Sequence, residues 1–307
     1  MQSFTFKGDL MRIGVIGHMG VVGGACFKGL SKHHEVVGYD LKIKKSYADI
    51  LSTEMVFLCL PTPTNMNGQD LGFVERALKD LVTHKYKGIV VIKSTVIPGS
   101  IEKFIKRFDL RFVHNPEFLS ADSANDDFDK QKEIIIGGHD EEAIQKVFDV
   151  HKPLGVTKAH IGTPTQTELI KYIHNVFLTV KVGIMNELYD VCLSNHCEFQ
   201  PLVNIAADIT GWINKRHISV PCKGKFGYGG ECFPKDIGAF FEAFKHLNLD
   251  IVGATIESNR KRRKDAKNLL HRPLRVEEVE NGNKRTVRRK RPQRKVESKV
   301  RPGSIAG

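Results

Sequence analysis

The chain has 307 residues, of which 41% are hydrophobic, and a formal net charge of +12 at pH 7. This length can hold two ordinary domains with buried cores, and no apolar run reaches the roughly 18 residues of a membrane-spanning helix. The charge is unevenly placed: residues 260–307 hold 18 Lys and Arg against 5 Asp and Glu, so the rest of the chain is nearly neutral.

The N-terminal segment and the cysteines indicate a cellular compartment. The first residues, MQSFTFKGDLM, are too polar for a secretory signal, and residues 1–10 are predicted to be a short extension. The six cysteines form neither a CxxC pair nor a zinc-ligand pattern with histidine. We therefore expect free thiols in a reducing cytoplasm, no bound metal and no membrane contact.

Residues 1–160 alternate short apolar runs with helical patterns, which is typical of a parallel α/β sheet. The predicted strands are RIGVIG (12–17), EVVGYD (35–40), MVFLCL (55–60), GIVVIKS (88–94), RFVH (111–114) and EIIIGG (133–138). The predicted fold class is a Rossmann-like, doubly wound parallel sheet followed by a mainly helical domain.

The first predicted strand leads into GHMGVVGGA, where Gly17, Gly20 and Gly23 are spaced GxxGxxG. This spacing is one residue longer than the usual dinucleotide fingerprint, but it follows a strand and opens a helix, where backbone can approach a pyrophosphate. Asp40 ends the second predicted strand, where a carboxylate binds the adenosine ribose and favours NAD over NADP. Lys45 is a candidate on the adenosine side, and a solvated surface lysine is an equally good interpretation. The predicted NAD contacts in this part of the chain are Gly17, Gly20, Val21, Val22, Gly23, Asp40 and Lys45.

From about Thr163 the pattern changes, and residues 161–260 are predicted to be a helical domain. Residues 165–195 form one long helical pattern whose polar side includes Lys171, Asn175, Thr179 and Asn186. Lys171 and Asn175 are one turn apart, so both can point into a cleft and stabilise an alkoxide or oxyanion. The apolar side consists of Leu169, Ile170, Ile173, Val176, Phe177, Val180, Ile184 and Leu188.

Residues 224–236, GKFGYGGECFPKD, place four glycines before Cys232 and Pro-Lys-Asp after it. Pro234 and the apolar spacing that follows predict a helix, so Cys232 would lie at a helix N-terminus near Lys235. Both features lower the pKa of a thiol and favour the nucleophilic thiolate. For an isolated cysteine, a buried thiol beside a glycine-rich turn would be the better interpretation.

Five stretches together resemble the nucleotide-sugar 6-dehydrogenases, the UDP-glucose/GDP-mannose dehydrogenase family, and most of all its UDP-glucose-oxidising members. They are LPTPT (60–64), KSTVIPGS (93–100), NPEFLSADSANDDF (115–128), ELIKYIHNVFLTVKVGIMNE (168–187) and GYGGECFPKD (227–236), in the family's order. The resemblance implies oxidation of a primary alcohol to a carboxylate with two NAD+, through a covalent thioester on the cysteine. It also implies a homodimer formed through the helical domain.

The resemblance implies a role for each matching residue. Cys232 is the nucleophile, because the second oxidation needs a tetrahedral adduct on sulfur. Asp236 orients a water and receives a proton, Thr95 helps to hold that water, and Glu117 is the acid/base that hydrolyses the thioester. The remaining implied contacts are Thr62, Thr64 and Ser94 for the cofactor, and Phe118, Leu119, Arg216, Phe226, Gly227, Tyr228, Gly229, Gly230 and Lys235 for the substrate.

The sequence departs from the family at two places. Ala121 stands where the family often has an acidic residue, with Asp122 next to it. The resemblance also stops near residue 260, so the family's third α/β domain, which closes over the UDP, has no counterpart in the basic tail 261–307. We expect this tail to be disordered, because it lacks apolar periodicity.

The predicted activity is oxidation of UDP-glucose to UDP-glucuronate, because GECFPKD favours glucose over N-acetylmannosamine as the sugar. Another nucleotide sugar remains open, as does an ordinary two-electron alcohol dehydrogenase on the same fold. A third alternative is a catalytically idle NAD-binding protein whose tail contacts nucleic acid or another polyanion.

Overall fold

The computed structural model describes residues 10–43, 47–65, 68–263, 278–280 and 283–285. By its contacts the chain divides into two compact units, Met1–His271 and Arg272–Gly307. Lys45, residues 1–9 and most of the basic tail lie outside the described residues, so the predictions made for them stay predictions.

The first unit contains nine described strands, seven of which form a mostly parallel sheet. Its strands are β1 (Arg12–Ile16), β2 (Glu35–Tyr39), β3 (Met55–Leu58), β4 (Thr64–Asn65), β5 (Gly68–Gln69), β6 (Ile89–Ile92), β7 (Arg111–His114), β8 (Glu133–Gly138) and β9 (Lys158–Gly162). Strands β4 and β5 form a separate ribbon, and the other seven have the order β2-β1-β3-β6-β7-β8-β9. The predicted fold class is confirmed, and the edge strand β9 is an addition to it.

One strand pair departs from the predicted parallel sheet, because β7 and β8 are antiparallel, with Val113 opposite Gly138. The connection between them contains a helix that packs against the first helix of the chain and does not cross the sheet. Phe128 of this connection lies so close to Gly29 that a Cβ at Gly29 would be 2.4 Å from its ring. The chain therefore enters β8 from the edge where it left β7, and the helix of this connection packs on the face of the sheet that carries the first helix.

Helices cover both faces of the sheet, as a doubly wound fold requires. They are α1 (Val21–Leu30), α2 (Ala48–Leu51), α3 (Gly72–Thr83), α4 (Ser100–Arg107), α5 (Ala124–Lys130) and α6 (Glu141–His151). Alternate residues of β3 belong to two cores: Met55 and Phe57 pack with α1, α5 and α6, whereas Val56 and Leu58 pack with α2, α3 and α4. The central strands are thus buried on both sides, which explains their continuous apolar runs.

The helical part follows β9 and consists of α7 (Pro164–Ser194), α8 (Phe199–Thr210), α9 (Phe233–Phe244) and α10 (Asp250–Arg262). A capping box starts α7: the Thr163 side chain accepts the N–H of Gln166, and the Gln166 side chain accepts the N–H of Thr163. In the described parts of the chain, no helix, the 31-residue α7 included, is both long and apolar enough to span a bilayer.

The polar side of α7 is its buried side. Asn175, Thr179 and Asn186 are at most 3% exposed, whereas Ile173 and Phe177 on the apolar side are each 67% exposed. This arrangement inverts the usual amphipathic helix, whose apolar stripe faces the core. In this chain α7 therefore directs its polar groups inward and leaves its apolar stripe uncovered.

In the second unit the structure describes two short strands, β10 (Glu278–Glu280) and β11 (Asn283–Arg285), which pair antiparallel. The sequence predicted no regular structure here. Each of these two strands is three residues long.

Candidate active site

The turn between β1 and α1 forms a close-packed glycine cradle. Gly17 has φ of +89°, and a Cβ there would lie 2.3 Å from the backbone oxygen of Cys59. A Cβ at Gly23 would lie 2.1 Å from the backbone oxygen of Gly17, so only glycine allows the helix to approach the strand this closely. Helix α1 begins at Val21, followed by Val22, and its N-cap residue Gly20 has no side chain to cap the first N–H groups. The first N–H groups of α1 can therefore face an anion such as a pyrophosphate.

Asp40 follows β2 and lies beside this turn. Its Oδ2 accepts the backbone N–H of Met19 at 3.2 Å, and its Oδ1 accepts that of Lys42 at 3.0 Å. The two bonds fix the carboxylate next to the glycine cradle, which is where a ribose-binding acid is needed.

The loops after β3 and β6 are tied to each other and to α9 by hydroxyl groups. Thr62 Oγ1 donates to the backbone oxygen of Thr95 at 2.7 Å, and Thr64 Oγ1 donates to that of Lys235 at 2.9 Å. Ser94 Oγ donates to the Leu60 carbonyl at 2.8 Å and accepts the Leu60 N–H at 2.9 Å. The structure therefore brings the predicted cofactor residues of the two loops next to the start of the cysteine helix.

Cys232 is the N-cap residue of α9, as predicted from Pro234. Its backbone oxygen accepts the N–H of Asp236 at 2.8 Å, and the buried Asp236 carboxylate also accepts a bond of 2.6 Å from Asn175 Nδ2. Lys235 completes the network through an ion pair with Asp236. Cys232, Lys235 and Asp236 of one motif and Asn175 of another thus form one connected group where α7 meets α9.

Lys171 lies one turn before Asn175 on the same face of α7. Its Nζ donates to the backbone oxygen of Glu117 and lies 4.8 Å from the centre of the Phe118 ring. Burial lowers the pKa of Lys171, while the nearby charges of Asp236 and Glu117 oppose that effect. The lysine links the Glu117 loop to the cysteine site.

The expectation of a lowered thiol pKa at Cys232 is wrong. Desolvation raises the pKa of Cys232, the negative charge of Asp236 raises it further, and Lys235 and Lys171 only partly compensate. The sequence placed the thiol correctly at a helix N-terminus but gave no weight to the buried carboxylate one turn into that helix. The thiol therefore loses its proton less readily than a free cysteine.

Glu117 is buried, and its Oε1 accepts the N–H of Phe118 at 2.9 Å. Its Oε2 lies 2.9 Å from Nζ of Lys93, a buried lysine that the sequence analysis did not select. The only sequence signal for Lys93 is that a lysine directly follows the apolar run of β6 within KSTVIPGS.

Two buried asparagines hold the glycine-rich segment before Cys232. Asn186 Oδ1 accepts the N–H of Gly227 at 2.8 Å. Asn259 accepts the N–H of Tyr228 at 2.8 Å and donates to its carbonyl at 3.2 Å. Gly227 and Gly230 have φ of +70° and +77°, and a Cβ at Gly227 would lie 2.2 Å from Asn259 Oδ1. Asn259 was missed because it lies 31 residues from the backbone that it binds.

The other predicted substrate contacts lie around this centre. Arg216 is exposed on the loop between α8 and α9, and Lys181 of α7 donates to its carbonyl oxygen at 2.7 Å. Phe226 packs edge-on against the ring of Tyr189, and Leu119 packs against the sheet core. Gly229 has close contact with another side chain, since a Cβ there would lie 2.2 Å from the guanidinium of Arg263.

Two parts of one protein family match this chain. The NAD binding domain of the UDP-glucose/GDP-mannose dehydrogenase family matches residues 39–155, and the central domain of the same family matches residues 165–261. The chain belongs to this family. The match to its NAD binding domain identifies the cofactor as NAD.

Individual relatives agree with this assignment. The chain is 33% identical over 234 residues to a UDP-glucose 6-dehydrogenase of Rickettsia bellii, a region that covers 72% of this chain and 53% of the relative. It is 32% identical over 248 residues to UDP-glucose 6-dehydrogenase AglM of Haloferax volcanii, covering 72% of this chain and 56% of that protein. The chain thus spans about half the length of the curated relatives it matches.

A solved member of the family has a similar fold. A UDP-glucose dehydrogenase from Pyrobaculum islandicum superposes with a TM-score of 0.74 at 26% identity, covering 83% of this chain and 69% of the other. In the present chain, among the residues that the structure describes, no group of three or more His, Cys, Asp and Glu side chains is arranged to hold a metal ion.

Proposed function

We propose that this protein catalyses the NAD-dependent, four-electron oxidation of UDP-glucose to UDP-glucuronate. The observation that carries the proposal is the connected group of Cys232, Asn175, Lys235 and Asp236 at the junction of α7 and α9, with the charge of Lys171 near the thiol. An ordinary two-electron dehydrogenase needs no thiol in this place, whereas oxidation from alcohol to acid requires a nucleophile that holds the aldehyde carbon.

The same part of the chain supplies a cofactor site. The glycine cradle and the uncapped start of α1 would hold the pyrophosphate, Asp40 would bind the adenosine ribose, and Thr62 and Thr64 would line the path towards Cys232. Bound NAD+ supplies the hydride acceptor for both oxidations. We assign residues 1–160 to this NAD-binding domain and 161–260 to the helical domain that carries the cysteine.

In the first oxidation, Lys171 and Asn175 stabilise the negative charge on the sugar oxygen, and Asp236 accepts the hydroxyl proton through a water that Thr95 helps to hold. In the second, the Cys232 thiolate forms a C–S bond with the aldehyde carbon, which gives a thiohemiacetal. Oxidation of this adduct leaves a thioester, which water cleaves with Glu117 as general base. Because the pKa of the thiol is raised, adduct formation should become faster as the pH rises.

We also propose that the protein acts as a homodimer in the cytoplasm. The uncovered apolar stripe of α7, with Ile173 and Phe177, is the kind of surface that a second copy would bury. Six free cysteines, including the exposed Cys197 and Cys222, suit a reducing compartment.

The test is to incubate the purified protein with NAD+ and a panel of nucleotide sugars. We expect about two NADH per UDP-glucose consumed, because the change from alcohol to acid removes four electrons. Cys232→Ser should bind NAD+ normally and form no carboxylate. A ratio near one with release of free aldehyde would support a two-electron dehydrogenase, and NAD+ binding without turnover of any sugar would support an idle NAD-binding protein.

A further inference from the structure

Lys93 stands at the end of β6 with its ammonium group inside the protein. The residue is only 3% exposed. Its Nζ donates to Asn115 Oδ1 at 2.8 Å and lies 2.9 Å from Glu117 Oε2. An ammonium group buried in this way is costly unless a charge and hydrogen bonds compensate it, so these contacts define its position.

An aromatic ring and a thiol also lie beside this pair. The Phe128 ring centre is 5.6 Å from Lys93 Nζ, and the buried thiol of Cys26 lies close by. Burial alone would lower the pKa of Lys93, but the carboxylate of Glu117 holds it above its ordinary value. The carboxylate of Glu117 therefore favours the charged form of Lys93.

The side chains of His114, His151 and Cys59 near the pair are neutral. Burial lowers the pKa of His114 and of His151 to about 3, and the pKa of Cys59 is raised through its hydrogen bond with Cys26 and its burial. Lys171 is the second cation near Glu117 in the described chain, and it binds the backbone oxygen of Glu117, not its carboxylate. The carboxylate therefore has Lys93 as its counter-charge.

We propose that Lys93 is a positioning residue that keeps Glu117 ionised and correctly oriented for hydrolysis of the Cys232 thioester. The inference rests on the proposed function. One carboxylate oxygen accepts the N–H of Phe118, and the other lies 2.9 Å from the Lys93 ammonium group, so each oxygen has its own partner. A buried carboxylate without a cation would take up a proton, and a protonated Glu117 cannot act as a base.

In the hydrolytic step, the oxygen of a water molecule forms a bond to the thioester carbon while the Glu117 carboxylate accepts the water proton. The C–S bond then breaks, the sulfur of Cys232 leaves as thiolate, and the sugar carbon becomes a carboxylic acid. Neither partner is oxidised or reduced in this step. Lys93 exchanges no proton and acts only by holding Glu117 in its basic form.

The first test separates hydrolysis from oxidation by rapid mixing of the enzyme with UDP-glucose and NAD+. We expect Lys93→Met to form NADH in the first turnover as the wild type does, and then to accumulate thioester on Cys232, detectable by intact mass. The steady-state rate of Lys93→Met should fall about tenfold, and the acid limb of its pH profile should move up by about one pH unit. The steady-state rate of Glu117→Gln should fall roughly 100-fold. Lys93→Arg should restore most of the rate.

The control is Lys32→Met, which removes a lysine from the exposed ion pair with Asp129 at 2.5 Å. This variant should leave both phases and the pH profile unchanged. In a double-mutant cycle, adding Lys93→Met to Glu117→Gln should cause no further loss of hydrolysis, because Lys93 acts through Glu117. Equal slowing of both phases with an unchanged pH profile, or additive losses in the cycle, would overturn the proposal.

A second measurement does not depend on catalysis. In urea unfolding, Lys93→Met should lose more stability relative to the wild type at pH 8 than at pH 5, because it leaves the Glu117 carboxylate without a counter-charge. This pH dependence should vanish in the double variant that also carries Glu117→Gln. A pH-independent effect would contradict the inference even if the enzyme proved inactive. Absence of any cysteine adduct in the wild type would instead refute the proposed function. If Lys93→Met does not fold, the double variant must fold, and failure of both would show a purely structural role.

Discussion

Asn259 offers a direct test of how the glycine-rich segment is held. Its side chain makes two hydrogen bonds to the backbone of Tyr228, and both residues are buried. In Asn259→Ala, a buried N–H and a buried C=O lose their partners, at about 1–2 kcal/mol each. We expect the free energy of unfolding to fall by roughly 2–4 kcal/mol in total.

The assay is urea unfolding followed by far-UV circular dichroism, together with KM for the proposed substrate UDP-glucose and the affinity for NAD+. KM should rise because the loop loses its fixed shape, while NAD+ affinity stays unchanged, since the glycine cradle lies in the other part of the protein. Asn204→Ala is the matched control, because Asn204 is exposed and accepts a hydrogen bond from the side chain of Gln200 at 3.1 Å. A loss below about 0.5 kcal/mol for Asn259→Ala, equal to an ordinary surface change, would refute the reasoning.

Three further predictions follow from buried or exposed groups. Burial raises the pKa of Glu168 from 4.5 to about 7, so the folded state binds an extra proton between these pH values and the free energy of unfolding falls as the pH rises. Glu168→Gln should remove about 3 kcal/mol of this pH dependence between pH 4.5 and 8, as measured by urea unfolding. Parallel curves of stability against pH for the wild type and the variant would contradict the prediction. Phe177→Asp should dissociate the proposed dimer in sedimentation analysis, whereas Phe73→Asp on α3 should not, and a dimer that survives Phe177→Asp would place the interface elsewhere. Gly23→Ala should weaken NAD+ binding at least about tenfold in calorimetry, because its Cβ would lie 2.1 Å from a backbone oxygen. Gly24→Ala is the control and should bind NAD+ as the wild type does, because its Cβ would lie 3.3 Å from the nearest atom. Equal NAD+ affinities of the two variants would show that the backbone of the cradle can move to accept a Cβ at Gly23.

The sheet was predictable where burial imposes a pattern on the sequence. Strands β1, β3 and β6 are covered on both faces and read as continuous apolar runs. Strand β9, KAHIG, lies at the sheet edge and its Ile161 is exposed, so it carries no such run. The direction of β8 depends on the packing of α5 against α1, a contact between distant residues that periodicity cannot report.

The site was predictable where one helix carries several polar residues. Lys171 and Asn175 share a face of α7 by spacing alone, and the cysteine helix follows from Pro234. Lys93 and Asn259 could not be found in this way, because each acts on backbone or side chains more than 20 residues away. The prediction of a lowered pKa for the Cys232 thiol failed for the same reason, because that pKa depends on the burial of the thiol and of Asp236, which a helical pattern does not reveal.

The loop between α8 and α9 contains the chain's single tryptophan, Trp212, which is 92% exposed. Its indole emission therefore reports on this loop and hardly on the hydrophobic cores, so unfolding would shift the spectrum little. The backbone a few residues further on, at Arg216, is fastened to Lys181 of α7. Any ligand or second subunit that covers the loop would move the indole out of water and shift its emission to the blue. The protein therefore has an intrinsic fluorophore in the same loop as the glycine-rich segment, and its emission can be measured without any label.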